Sequence, residues 1–152
     1  MRFVCDQMLV GLGKWLRAAG YDTIIIETSI PDQQILEYAL NEERLLLTRD
    51  AHFLKMKTTG ETVIFLRGNS IKECIQELNE RLNIDWLLDP FSRCLVCNSK
   101  LTEADYQTIL EQVPADVLLK STLCFYCLQC KKVYWKGSHT KRMLDQLNNF
   151  SL

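Results

Sequence analysis

The sequence predicts an α/β protein in which a parallel sheet is flanked by helices and followed by a small cysteine-rich ribbon. Apolar runs of strand length alternate with segments of helical spacing over about the first ninety residues, which is the pattern of a parallel sheet. From residue 93 onward the chain changes to paired cysteines, lysines and aromatic residues. The length of 152 residues allows one ordinary core and a small appendage. We therefore expect two units, residues 1–88 and residues 89–152.

Four strands are predicted in the first unit from short apolar runs bounded by polar or turn residues. They comprise residues 2–5, 23–26, 45–48 and 62–66. The run at 45–48 is continuously apolar, as in strands that are covered on both faces. This pattern favours a sheet buried between two layers of helices.

Helices are predicted between these strands from apolar residues at helical spacing. The first helix ends at Gly20, and Pro31 suits the first turn of the second. A short helix is expected around residues 53–56. Ser70 and Glu73 form a capping box ahead of the next helix.

The composition is that of a folded globular chain, with 47% hydrophobic and 24% charged residues. No run of 18 apolar residues occurs, and the apolar stretch at the N-terminus is too short for a signal peptide. We therefore expect a cytoplasmic protein without a membrane span. Residues 1–92 carry 10 Lys/Arg and 14 Asp/Glu, whereas residues 93–152 carry 8 and 5. An acidic body with a basic tail segment is common among nucleic-acid enzymes.

Two C-x-x-C pairs, Cys94 with Cys97 and Cys127 with Cys130, predict a metal site. Four thiolates complete the tetrahedral shell of a structural Zn²⁺. An odd total of seven cysteines without an export signal fits a metal site better than a disulfide framework. The 29 residues between the pairs exceed the interval of a minimal finger, and the surplus fits a helical insertion that ends at Pro114.

The choice of zinc ligands has two registers, because Cys124 with Cys127 is also a C-x-x-C pair. We prefer Cys127 with Cys130, since the residues that follow Cys130 mirror those that follow Cys97. In that register Cys124 is a small apolar residue in a strand.

The segment at residues 131–142 carries five basic residues and no acidic one, with aromatic residues interleaved. Cations contact phosphates and aromatic faces stack on unpaired bases, which predicts contact with single-stranded nucleic acid. We assign this contact to Lys131, Lys132, Trp135, Lys136 and His139. Alternatively, the aromatic residues pack the ribbon against the main domain and the lysines only face solvent. A separate alternative for His139 is that it replaces one cysteine at the metal.

Three aspartates lie where strands are predicted to end. Asp6 follows the first strand, Asp50 follows the third after one residue, and Asp32 lies in the helical turn after the second. The carboxyl ends of parallel strands share one edge of a sheet, so these carboxylates can converge. Grouped carboxylates need a cation and suit Mg²⁺ or Mn²⁺, as in metal-dependent nucleases. For Asp32, the helix dipole and capping also explain an acid at this position.

Two cations of the first helix, Lys14 and Arg17, are three residues apart and lie off its apolar stripe. They can share a face and contact a phosphate near the acids, or they are ordinary solvated helix charges. Asp22 is not included with the other acids, because it begins the second strand and so lies at the opposite edge of the sheet.

The sequence resembles the PIN-like nucleases, and within them the Mut-seven C-terminal ribonuclease domain family, over nearly its whole length. The motifs that carry this resemblance are FVCDQMLVGLGKWLRAAGYD at 3–22, LLTRD at 46–50, RCLVCN at 93–98 and YWKGSH at 134–139. The resemblance implies a PIN-like (Rossmann-like) domain with an appended zinc ribbon. It also supports Cys127 and Cys130 as the second zinc-binding pair.

The resemblance implies an endoribonuclease in which Asp6, Asp32 and Asp50 bind a divalent metal. Where related short PIN-like proteins often carry a second acid after the third strand, this sequence has His52. From the resemblance we expect hydrolysis of single-stranded RNA with Mg²⁺ or Mn²⁺. We expect the zinc ribbon to assist RNA binding. The alternatives are a non-catalytic RNA-binding or assembly module with the same fold and, with less support, a phosphoacceptor domain.

Overall fold

The computed structural model describes residues 1–56, 60–118 and 123–151, and it confirms the predicted α/β class. The four parallel strands are β1 (Arg2–Cys5), β2 (Asp22–Ile25), β3 (Leu45–Thr48) and β4 (Val63–Phe65). Their order in the sheet is β2-β1-β3-β4. Because every pairing is parallel, the carboxyl ends of all four strands lie along one edge.

Three helices of the first unit connect these strands or follow them. They are α1 (Val10–Ala18), α2 (Asp32–Asn41) and α3 (Ile71–Arg81), accompanied by 3-10 helices at Gln7–Leu9, Ala51–Lys55 and Gly60–Thr62. The predicted capping box of α3 is confirmed, because the Glu73 amide donates to the Ser70 hydroxyl at 3.2 Å. The Glu73 carboxylate in turn accepts from the Asn69 amide at 2.7 Å.

The core lies on both faces of the sheet, as the apolar third strand predicts. Phe3 and Cys5 of β1 pack on the side of α1 and α3. Val4, between them, points to the other side and packs with Leu36 of α2. Alternating residues of a single short strand thus contribute to two separate apolar clusters.

The second unit contains a small antiparallel sheet in the order β5-β6-β7. Its strands are β5 (Thr102–Glu103), β6 (Cys124–Cys127) and β7 (Lys132–Trp135), and the insertion contains α4 (Tyr106–Gln112) and α5 (Ala115–Leu118). Asp105 caps α4 by accepting from the Thr108 amide at 2.9 Å. The predicted helical insertion is therefore present.

The last helix, α6 (Ser138–Phe150), packs on the first unit. Its Leu147 is fully buried in the core beside α1 and α3. The Phe150 ring meets Trp15 and Trp86 edge to face, with ring centroids 5.0 and 5.2 Å away. The boundary at residue 88 stays a prediction, and α6 joins the two proposed units. Over the described residues, no helix has both the length and the apolar character that a membrane crossing needs.

Candidate active site and metal centre

The three predicted aspartates line one pocket at the carboxyl edge of the parallel sheet. Asp6 directly follows β1, Asp32 is the first residue of α2, and Asp50 precedes the 3-10 helix that follows β3. The pocket has a volume of about 100 Å³, and its lining also includes apolar residues such as Ile35 and Phe53. Three distant points of the chain therefore meet at one small polar cavity.

Asp6 is buried and held by three hydrogen bonds. One carboxylate oxygen accepts from the Met8 amide at 2.8 Å and so caps the 3-10 helix that begins there. The other accepts from the hydroxyl of Thr48 and from the Arg49 amide at 3.2 Å. These donors meet the need for partners that a buried carboxylate has, and they orient the side chain.

Asp50 and Asp32 have different partners. Asp50 caps its 3-10 helix by accepting from the His52 amide at 2.8 Å. The imidazole Nδ1 of His52 lies 2.8 Å from a carboxylate oxygen of Asp32. His52 thus connects the two more accessible acids, one through its backbone and one through its ring.

The donor chemistry of this pocket suits a hard divalent cation, because carboxylate oxygens are the ligands that Mg²⁺ and Mn²⁺ prefer. In the arrangement described, however, the three aspartates are not close enough to share an ion directly. Among the described residues, only a group of four cysteines brings three or more Cys, His, Asp or Glu side chains close enough together to hold one ion. Binding at the acidic pocket would need side-chain rotation, or water between ion and carboxylate, which Mg²⁺ commonly keeps.

Thr48 is a residue of this site that the sequence analysis missed. Its hydroxyl donates to Asp6 and accepts from the Asp50 amide at 2.9 Å. It therefore joins the ends of β1 and β3 at the acids. A hydroxyl residue closing an otherwise apolar strand was the available signal.

Arg17 is a correction to the sequence analysis, which expected it either to contact RNA or to face solvent. Its side chain is buried, and its guanidinium donates to the carbonyls of Thr23 at 2.8 Å, Leu95 at 3.0 Å and Val96 at 2.8 Å. Those bonds attach the first cysteine pair to the amino end of β2. Lys14, one turn earlier, is exposed as expected.

The candidate metal centre consists of Cys94, Cys97, Cys127 and Cys130, whose sulfur atoms all lie within 4.8 Å of one another. The Sγ atoms of Cys97 and Cys127 are 3.4 Å apart, and those of Cys94 and Cys130 are 3.7 Å apart. Tetrahedral zinc with bonds of about 2.3 Å places its sulfurs roughly 3.8 Å apart. The geometry therefore fits a four-cysteine site, and the cluster can hold a metal ion such as zinc.

The two cysteine pairs have the same turn, which explains why Cys127 pairs with Cys130 and not with Cys124. Asn98, which follows Cys97, has φ of 71°, and Lys131, which follows Cys130, has φ of 53°. In both turns the amide of that residue donates to the carbonyl of the first cysteine of its pair, Cys94 or Cys127. Cys124 instead packs with Val113 in the small apolar cluster of the ribbon.

The electrostatics of the cluster favour a bound cation. Burial raises the pKa of Cys97, but hydrogen bonds from Ser99 and the neighbouring thiols lower it to about 6. Burial also raises the pKa of Cys94, but hydrogen bonds from the Tyr134 hydroxyl, 3.0 Å from its sulfur, and from the backbone of Cys97 and Val96 outweigh it and lower that pKa. The pKa of Cys130 is raised to about 12, chiefly by its contact with Cys97. Four crowded thiols resist full ionisation, and a metal ion removes that resistance.

The predicted RNA-contacting residues lie on and beside β7. Lys131, Lys132, Lys136 and His139 are exposed, whereas Trp135 is half-buried and packs partly in the ribbon cluster. His139 is outside the cysteine cluster and lies in the first turn of α6. The structure therefore does not use it as a replacement ligand.

The fold and its two sites define an α/β protein that combines an acidic pocket at the carboxyl edge of a parallel sheet with a four-cysteine cluster that can hold a metal ion. The family model described as the Mut7-C RNAse domain matches residues 1–147, and the protein belongs to this family. The description of that family indicates a nuclease-like function with RNA as the substrate. Comparisons with curated proteins and with solved structures gave no match.

Proposed function

We propose that the protein is a divalent-metal-dependent endoribonuclease that hydrolyses phosphodiester bonds of single-stranded RNA, with Asp6, Asp32 and Asp50 as the catalytic, metal-binding residues. The observation that carries this proposal is that these three side chains, from separate elements, line one pocket at the carboxyl edge of the sheet. Such edges are where ligands bind in parallel α/β sheets. Membership of an RNAse domain family supports the same reaction class.

The residues of the pocket have different tasks in this proposal. A Mg²⁺ or Mn²⁺ ion held by the three aspartates would neutralise the charge that develops on the phosphodiester. Asp6 is already oriented by three donors and so provides a rigid carboxylate. Asp32 must leave His52 to reach the ion, and His52 is then available to face the RNA backbone.

The ribbon supplies RNA binding in this proposal, and its four cysteines hold structural zinc. Lys131, Lys132, Lys136 and His139 contact phosphates, and Lys14 provides a further cation on α1. These contacts are salt-sensitive by their nature. Trp135 lies among these residues and contacts a base. We place this activity in the cytoplasm, as the sequence predicts.

A second candidate function is a non-catalytic RNA-binding or assembly module. The observation that favours it is that protein donors already satisfy the acids, since Asp6 and Asp50 accept backbone N–H bonds. The ring of His52 likewise contacts the carboxylate of Asp32 through its Nδ1. In this case RNA binds, but added metal brings no cleavage.

The two candidates are separated by incubating purified protein with single-stranded RNA and added Mn²⁺ or Mg²⁺. We expect cleavage, and a loss of about 100-fold with Asp32→Asn, the size of effect typical when one electrostatic stabiliser of a transition state is removed. Asp32 suits this test because, unlike Asp6, it is not buried in the fold. Asp145→Asn, on the exposed face of α6, is the matched control.

Cleavage that survives both Asp32→Asn and Asp50→Asn would place the activity elsewhere and overturn the assignment of these residues. RNA binding without cleavage by the wild-type protein, with either ion, would support the non-catalytic module.

A further inference from the structure

A cavity of about 480 Å³ lies between the ribbon, the start of α6 and the chain around the first cysteine pair. Four aromatic residues, Phe91, Phe125, Tyr134 and Trp135, are among those that line it. The volume is in the range of sites that take small organic ligands. The acidic pocket shares none of these lining residues, so this cavity is a separate feature of the molecule.

Two of its aromatic residues form one cross-strand pair. Phe125 of β6 lies directly opposite Tyr134 of β7, which places both on the same face of the ribbon. The other face carries Cys124, Tyr126, Val133 and Trp135, which belong to the ribbon's own apolar cluster; Trp135 also reaches the cavity. The ribbon therefore has a packed face and a face that lines the cavity.

Of the four aromatic residues that line the cavity, Phe125 has the fewest roles elsewhere in the fold. Tyr134 is tied to the metal centre through Cys94, and Phe91 packs against the main core. Phe125 belongs to none of the apolar clusters formed by the described residues and is half-buried at the cavity wall. A flat apolar ring held at the wall of an open cavity is suited to stacking on a flat ligand.

The charge at the cavity favours an anionic ligand. Lys132 and Lys136 line it and are exposed, and neither forms an ion pair within the described part of the chain. The other charged or titratable residues that line it are His139, Tyr134, Arg93 and one carboxylate, Asp89. Arg93 is engaged with the carbonyls of Gly20 and Asn98. The free cations therefore outnumber the acid.

A ligand with a flat aromatic part and an adjacent negative charge matches these walls, and an unpaired nucleotide has both. We propose that this cavity is a base-binding site, in which one unpaired base of the RNA stacks on Phe125 while the flanking phosphates contact Lys132 and Lys136. The proposal rests on the proposed RNA substrate but requires no cleavage. Base stacking on aromatic side chains tolerates any base, so no sequence preference follows.

The position of the cavity gives the base an anchoring role. The first cysteine pair, whose Leu95 and Val96 line the cavity, is attached at the amino end of β2 through Arg17 and Thr23. The three aspartates lie at the carboxyl edge of the same sheet. One strand of RNA therefore has to cross the body of the protein to occupy both, so the cavity holds it away from the point of cleavage.

The test is binding of a fluorescein-labelled oligouridylate, measured by fluorescence anisotropy without added Mg²⁺ or Mn²⁺. We expect Phe125→Ala to weaken binding by about 5- to 100-fold, the range for loss of one stacked base. Phe125→Leu keeps an apolar side chain without an aromatic face and should weaken binding similarly, whereas Phe125→Trp should retain it. Leu128→Ala, in the same ribbon and 68% exposed, is the matched control.

Metal content and thermal unfolding of each variant show whether the ribbon is intact. If Phe125→Ala loses its metal, the comparison of Phe125→Leu with Phe125→Trp decides the question. Equal binding by these two variants and the wild-type protein would overturn the base-binding site. An abasic deoxyribose-phosphate strand of the same length should bind equally well to wild-type protein and Phe125→Ala, because it has no base to stack.

A second measurement uses the wild-type protein and RNA that contains 4-thiouridine, cross-linked by light and mapped by mass spectrometry. Cross-links to peptides that carry Phe91, Phe125 or Trp135 support the proposal, and cross-links confined to other surfaces overturn it, leaving the cavity for an apolar peptide. Loss of binding in Phe125→Leu, together with an absence of metal-dependent cleavage, would retain the base site and reject the nuclease. Unchanged binding in Phe125→Leu, together with metal-dependent cleavage by the wild-type protein, would reject the base site and retain the nuclease.

Discussion

The hydroxyl of Thr48 donates a hydrogen bond to the carboxylate of Asp6, across the two central strands of the sheet. The same hydroxyl accepts from the Asp50 amide at 2.9 Å. One fully buried side chain therefore sets the position of two of the three acids. Thr48 is a positioning residue, since it acts on the pocket through Asp6 and Asp50.

Replacing Thr48 by Val preserves the shape of the side chain and removes both hydrogen bonds. We expect the free energy of unfolding to fall by about 1–3 kcal/mol, because Asp6 loses a buried donor. Metal-dependent cleavage should fall by about 10- to 100-fold, as with other residues that orient metal ligands. Urea unfolding and single-turnover cleavage measure the two effects. Thr48→Ser retains the hydroxyl and should recover cleavage. Unchanged cleavage in Thr48→Val would show that Thr48 contributes only to packing.

His52 competes with any cation for Asp32, because its Nδ1 lies 2.8 Å from that carboxylate. We expect His52→Ala to lower the Mn²⁺ concentration that half-saturates the pocket by up to about fivefold, since a partly exposed polar contact of this kind contributes about 1 kcal/mol or less. Isothermal titration with Mn²⁺ measures this change. His139→Ala should leave it unaffected. Weaker Mn²⁺ binding in His52→Ala would instead show that His52 helps to hold the ion.

Arg17 should be essential for attaching the first cysteine pair to the sheet. Arg17→Met leaves three carbonyls without a donor, and we expect a loss of about 3 kcal/mol in the free energy of unfolding. Metal release to a chelator should also be faster, because Leu95 and Val96 lie between two of the ligands. Urea unfolding and a chromogenic chelator measure these effects. The exposed Lys14→Met should change stability by less than about 0.5 kcal/mol. An unchanged release rate in Arg17→Met would show that the metal alone holds the pair.

The cysteine cluster should retain zinc on purification, and elemental analysis measures its content. Cys130→Ala removes one of the four clustered sulfurs and should abolish or greatly reduce zinc content. Cys124→Ala should keep the zinc and lose about 1 kcal/mol of stability, because this side chain packs in the ribbon's apolar cluster. The opposite pattern, with zinc lost only in Cys124→Ala, would show that the ligands are in the other register.

Asp22 should stabilise the protein at neutral pH and lose this effect in acid. Burial raises the pKa of Asp22, but hydrogen bonds from Arg44 and Asn98 outweigh it and hold the pKa below its ordinary value of 3.8. The folded state therefore binds fewer protons than the unfolded state, so the stabilisation is present above about pH 4 and is lost as pH falls through the lower folded value. Urea unfolding across this range should show a shallower decline for Asp22→Asn than for the wild-type protein. The control Asp145→Asn should show the same dependence of stability on pH as the wild-type protein. If Asp22→Asn also matched the wild-type protein, Asp22 would have no such effect on stability in acid.

Local patterns were sufficient for much of the fold. Strands of apolar residues, the capping pair of Ser70 and Glu73, and the alternation of elements depend on near neighbours, so the sequence predicts them directly. The strand-end positions of Asp6 and Asp50 follow from the same patterns. The predicted bounds of β2 and β4 differ from those observed by one residue at each end, because the ends of short strands depend on their partners.

The sequence by itself determined the parallel α/β class, the two cysteine pairs and the shared edge of the three aspartates, because periodicity and spacing are properties of adjacent residues. Only the tertiary structure decided that Arg17 is buried, since its acceptors Leu95 and Val96 are nearly eighty positions away. It also decided that Thr48 connects the acids and that Phe125 lines a cavity. Such contacts depend on packing between distant segments, which no local pattern encodes.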